Sequence, residues 1–160
     1  MSIVSVEKDF DSLTLTLVAD FDAPTERVWK LWADPRQLER WWGPPTYPSS
    51  VEQHDLTPGG EVTYSMTGPE GEKHRGLWRI KSVNAPKSLE FTDGFANPDG
   101  TRNEKTPTAE VQVRLAEHDG GTRMHLRFVF ESTRHMERLE RGGAFDVFPQ
   151  SVGQMDALLS

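Results

Sequence analysis

The chain has no cysteine. That excludes disulfides, thiol nucleophiles and cysteine-ligated metal, and leaves the redox compartment open. It also lacks a basic excess: 18 Lys and Arg stand against 25 Asp and Glu, a net charge of −7. Phosphate backbones and anionic lipid surfaces attract positive proteins, so neither nucleic acid nor membrane is an expected partner. No stretch approaches the roughly 18 consecutive apolar residues of a membrane span, and residues Met1 to Phe10 show no basic segment followed by an apolar run. The expected location is the cytoplasm. Also missing are a phosphate-cradling glycine loop followed by Lys and Ser/Thr, a Gly-x-Ser-x-Gly elbow and a His-Glu-x-x-His pair. The five histidines, at 54, 74, 118, 125 and 135, stand apart without zinc-site spacing. No metal, no cofactor and no catalytic residue is therefore assigned.

What is present suits a soluble, globular chain. With 160 residues, 35% hydrophobic and 27% charged, one domain over 1–160 can bury roughly 70% of its unfolded surface. Five tryptophans each bring about 150–250 Å² of buriable surface, or roughly 4–6 kcal/mol of gross stabilisation before entropy is charged against it. Four of them lie between Trp29 and Trp42, which places a packing centre near the N-terminus.

From Leu13 to Phe21, apolar residues alternate with mostly polar ones, the period of a half-buried strand. Pro24 then opens a short helix whose apolar face carries Val28, Trp29, Leu31 and Trp32. Asp34-Pro35 breaks it and starts a second helix with Leu38, Trp41 and Trp42 on one face, stopped by Gly43-Pro44-Pro45. Between about Ser50 and Ser132, turns such as Pro58-Gly59-Gly60, Asn84-Ala85-Pro86 and Asp119-Gly120-Gly121 punctuate an antiparallel meander. Val111, Val113 and Leu115, then Met124, Leu126, Phe128 and Phe130, mark the buried faces of its last two strands. The segment Ala96 to Thr106 reads as a mobile flap or a long hairpin end. Arg134 to Arg141 mixes acids with bases, as a solvated helical face does. Phe145, Phe148, Val152, Met155 and Leu159 form the stripe of a closing helix, which starts near Ala144 or near Pro149 itself.

The order of these elements resembles the helix-grip fold of START-like proteins. Phe21-Asp22-Ala23-Pro24 with Val28-Trp29, Asp34-Pro35 with Leu38 and Trp41-Trp42-Gly43-Pro44, and Asp55-Leu56-Thr57-Pro58-Gly59-Gly60 are similar to the family named for the activator of the heat-shock-protein ATPase, from about Ser12 to Leu159. The resemblance implies an α+β fold: a curved antiparallel sheet of about six or seven strands, two short helices and a long C-terminal helix. It also implies a cavity between the concave sheet and that helix.

Strand parity suggests what faces such a cavity, because residues two apart share a face. His74, Gly76, Trp78 and Ile80 form one inward set, Val62, Tyr64 and Met66 another, and Leu89, Phe91, Asp93 and Phe95 a third. Tyr64, His74 and Asp93 are thus polar groups in apolar series; unpartnered burial would cost each about 1–3 kcal/mol. Either they meet a partner or ligand, or His74 and Asp93 reach solvent at strand ends. The candidate ligand-binding set is Tyr64, His74, Trp78, Phe91, Asp93, Phe128, Phe148, Val152 and Met155. The expected partner is a small apolar or aromatic molecule, and the expected state a monomer or homodimer. Two alternatives stand beside this: a cyclase or hydrolase using His74 or Asp93 as acid or base, which needs an imidazole–carboxylate pair, and a co-chaperone activating a heat-shock-protein ATPase. The absence of the activator's additional N-terminal domain counts against the last.

Overall fold

Thr14–Phe21 forms the strand its alternation predicts, with Leu15, Leu17, Ala19 and Phe21 buried on one face. A computed structural model describes residues 2–159. In chain order the elements are β1 (Ser2–Asp9), β2 (Thr14–Phe21), α1 (Thr25–Ala33), α2 (Pro35–Leu38), β3 (Ser49–His54), β4 (Glu61–Thr67), β5 (Lys73–Asn84), β6 (Ser88–Phe95), β7 (Ala109–His118), β8 (Gly121–Phe130), α3 (Thr133–Arg141), α4 (Ala144–Gly153) and α5 (Met155–Leu159). The strands make one antiparallel sheet of eight, in the order β1-β2-β8-β7-β6-β5-β4-β3.

Pro24 sits just before α1, and its carbonyl accepts the first helical bonds from Arg27 and Val28. The Asp34 carboxylate accepts from the Arg36 N–H and caps α2, where Pro35 needs no donor of its own. The second helix is shorter than its apolar face suggests: it ends at Leu38, and Trp41 and Trp42 are held by turn bonds from their N–H groups to the Leu38 carbonyl. All three side chains are nonetheless buried. The tryptophans condense as expected. Trp32 lies 4.6 Å from Trp41, Trp42 lies 4.9 Å from Trp78, and Trp78 stacks on Phe91 at 3.9 Å. The Trp41 indole donates to the Leu31 carbonyl at 2.8 Å.

Two expectations need correction. The sheet has eight strands, because Ser2–Asp9 pairs with β2 as an edge strand; its adjacent Ile3 and Val4 and a bulge between Ile3 and Ser5 break the alternation that would have marked it. The C-terminal helix is not one long rod. Gly143, at φ 82°, separates α3 from α4, and the chain interrupts again at Gln154, whose side-chain amide donates to the carbonyls of Gly43 and Trp41. Of the two starts open to the closing segment, the structure has the first: α4 starts at Ala144 and carries Pro149 inside it. The bond that Pro149 cannot donate is outweighed by the apolar contacts of the flanking segment: Phe145 stacks on Phe130 and Phe148 on Phe128.

The 96–106 segment is a hydrogen-bonded hairpin end, with a bridge between Ala96 and Arg102 and a bond from the Asn97 N–H to the Thr101 carbonyl.

Candidate functional site

Gly76 is the residue that lets the polar end of the site form. It pairs with Tyr64 across β4 and β5, and a Cβ at that position would meet the Tyr64 ring at 2.2 Å. Without one, the phenol lies across β5 and its hydroxyl donates to Asp93 Oδ1 at 2.8 Å. Asp93 stands opposite Trp78 on the neighbouring strand, so β4, β5 and β6 each contribute one member of a Tyr64–Trp78–Asp93 group.

Burial pushes the Asp93 carboxyl up to about 7, against the opposing pull of the Tyr64 hydroxyl, the charge of Arg102 and the Gly94 N–H. The side chain keeps partial exposure, yet desolvation still dominates. Burial, with the adjacent carboxylate, holds the Tyr64 phenol well above its ordinary range. The indoles of Trp42 and Trp78 lie near enough to the phenol oxygen to favour its charged form slightly, but their N–H groups make no hydrogen bond.

The Tyr64 and Asp93 members of this group stand at one end of a cavity of about 260 Å³. Its floor is the sheet face at Ala109, Leu126, Phe128 and Phe130, and its roof is Leu139 of α3 with Ala144, Val147, Phe148 and Val152 of α4. Trp41 and Trp42 form one flank, and Phe95, 53% exposed, stands at the rim. The α3–α4 break at Gly143 brings both helices over one apolar space.

Tyr64, His74, Asp93, Phe128, Phe148 and Val152 line the cavity. Trp78, Phe91 and Met155 do not: Trp78 and Phe91 stack in the core behind Trp42, and Met155 is fully buried after the restart at Gln154. His74 faces as parity requires but lies at the exposed start of β5, its ring 5.8 Å from that of Tyr47. The strand-end alternative describes His74; Asp93 meets a partner, Tyr64. No imidazole–carboxylate pair forms at Asp93 among the described residues. Trp42, Met66 and Phe95 line the cavity without having been singled out. The inward parity of Met66 and Phe95 was a usable signal, whereas Trp42 read as packing alone.

Among the described residues, no cluster of three or more His, Asp or Glu could hold a metal ion, and no helix is long and apolar enough to cross a membrane.

A family model described as "Activator of Hsp90 ATPase homolog 1-like protein" matches residues 22–160. The crystal structure of a protein from Mycobacterium smegmatis is 44% identical, covers 99% of this chain and 98% of its own, and superposes with a TM-score of 0.90. A solution structure from Arthrobacter aurescens is 43% identical over 99% of this chain and 92% of its own, with a TM-score of 0.93. One from Staphylococcus epidermidis, 20% identical over 98% and 93%, shares the fold with a TM-score of 0.85. No curated protein matches. With 139 residues matched, from 22 to 160, and the START-like fold in place, the chain belongs to the Activator of Hsp90 ATPase homolog 1-like family.

Proposed function

We propose that this protein binds a small apolar or aromatic molecule beneath α3 and α4. The observation that carries this reading is the cavity itself: about 260 Å³, walled by apolar side chains and ending on one Tyr–Asp pair. Protein interiors are otherwise packed with few voids larger than a water molecule. Apolar walls with a few convergent polar groups are the usual makeup of a small-molecule site. Tyr64 and Asp93 orient the ligand, Phe128 and Phe148 contact its body, and Val152 sets the height of the roof. His74 stands at the rim.

The test is thermal unfolding with 2-naphthol, on wild type and on Val152→Trp, whose indole takes the ligand's space. At a hundredfold excess over its dissociation constant the compound should stabilise the wild type by about 2.7 kcal/mol, or about 5–10 °C at this size. The variant should fold and show no shift. Equal shifts in both proteins, or none in the wild type, would count against the cavity. ATPase activation, the property in the family's name, would work through a contact surface and should survive Val152→Trp, so the variant separates the two roles.

A further inference from the structure

The chemistry of the cavity's Tyr64–Asp93 end points to one class of polar group on the ligand. Among the described residues, Asp93 is the one carboxylate that lines the cavity. Arg75, which also lines the cavity, is paired with Glu52 at 2.9 Å. Arg102 acts on Asp93 through space without a hydrogen bond between them. The Tyr64 hydroxyl donates its one hydrogen bond to Asp93 Oδ1 and has no second proton to offer an anionic or acceptor group. A carboxylate has about four lone-pair sites, so acceptor capacity is left over. Beside it stand two aromatic rings, Trp42 and Tyr64, with centroids 5.9 Å apart and planes at 83°. Aromatic faces are electron-rich and attract cations.

We propose that the cavity selects a protonated amine on an apolar or aromatic body, with Asp93 as its counter-ion and the rings of Trp42 and Tyr64 as its walls. This rests on the reading of the cavity as a ligand site. An anionic ligand would meet like charge at Asp93, and a neutral one would leave a desolvated carboxyl with only the through-space charge of Arg102 against it. A bound ammonium reverses that desolvation cost, because it favours the ionised form that burial alone disfavours. The chain's net charge of −7 also favours the approach of a cation.

Calorimetric titration of the full chain with 2-naphthylmethylamine, 2-naphthylmethanol and 2-naphthoic acid tests this, since the three share one body and differ in charge. At pH 8 the amine should bind about tenfold or more tighter than the alcohol, and the acid should bind weakest. At pH 5.5 Asp93 holds its proton and the preference should shrink severalfold, while the alcohol is unaffected. Tyr64, His74, Arg75, Arg102 and His135 are the other titratable groups around the cavity or Asp93, and Asp93→Asn separates them. That variant keeps an acceptor for Tyr64 and should bind amine and alcohol within about twofold at both pH values. Amine binding to the wild type at pH 7 should also release protons, read from heats in two buffers of different ionisation enthalpy. An alcohol or acid that binds as tightly as the amine overturns the proposal but leaves the cavity reading intact. A preference that survives Asp93→Asn also overturns it. If none of the three compounds binds, both readings fall together.

Discussion

Replacing Asp93 with Asn should stabilise the unliganded protein above neutral pH and change little near pH 3. The folded carboxyl titrates at about 7, against an ordinary value of 3.8. Below 3.8 both folded and unfolded chains hold the proton, and the full stability is present. Between 3.8 and 7 the unfolded chain ionises first, so stability falls as pH rises, and above 7 the loss is complete. At about 1.4 kcal/mol for each pH unit, the interval amounts to on the order of 4 kcal/mol. An amide avoids the cost of a desolvated charge but keeps that of a polar group, so the expected gain is about 2–4 kcal/mol at pH 8.5. Urea denaturation of both proteins from pH 3 to 8.5 measures it. Parallel stability curves would sink the assignment. A residue that weakens the fold at working pH and stands in the cavity is what a trade between stability and binding leaves behind.

Trp32→Ala should cost about 3–5 kcal/mol, a large share of the about 5–15 kcal/mol that holds a typical domain together. Trp32 is fully buried, and its ring lies within 6.4 Å of Trp41, Trp42, Trp78 and Phe91. Alanine would strip contact from four aromatic neighbours that are held on the turn after α2, on β5 and on β6, and cannot all close the gap. A loss below about 2 kcal/mol in the urea midpoint analysis would show that the cluster relaxes freely. The same experiment on Trp32→Phe should give a smaller loss, since most of the packed ring surface remains.

The strongest signals in the sequence were local ones. The alternation in β2, β7 and β8, the helix starts at Pro24 and Asp34-Pro35, and the density of tryptophan between 29 and 42 each depend on residues close in the chain. The edge strand β1 was missed because it is half solvated and bulged, so its pattern is weak. The pairing of Tyr64 with Asp93 was hidden for a different reason. Parity reports which face a side chain takes but not its row along the strand, and this pair depends on the joint register of three strands and on the missing side chain at Gly76. His74 shares the right face yet stands beyond the pair, opposite Met66. The division of the closing helix was similarly out of reach, because the break at Gln154 answers carbonyls of Gly43 and Trp41, more than a hundred residues earlier in the chain.

The position of β2 bears on how the chain must be made. Its inner neighbour is β8, and Phe21 pairs with Thr122. During synthesis the N-terminal hairpin emerges about a hundred residues before the strand that completes it, an interval of about 5–20 s at ordinary elongation rates. Throughout that time Leu15, Leu17 and Phe21 have no finished sheet to join and one side of β2 presents unpaired backbone. Contacts this distant in sequence slow folding. Until β8 is made, that strand edge is an exposed template for pairing with another chain, so a variant with a longer stretch between β2 and β8 should aggregate more readily during synthesis.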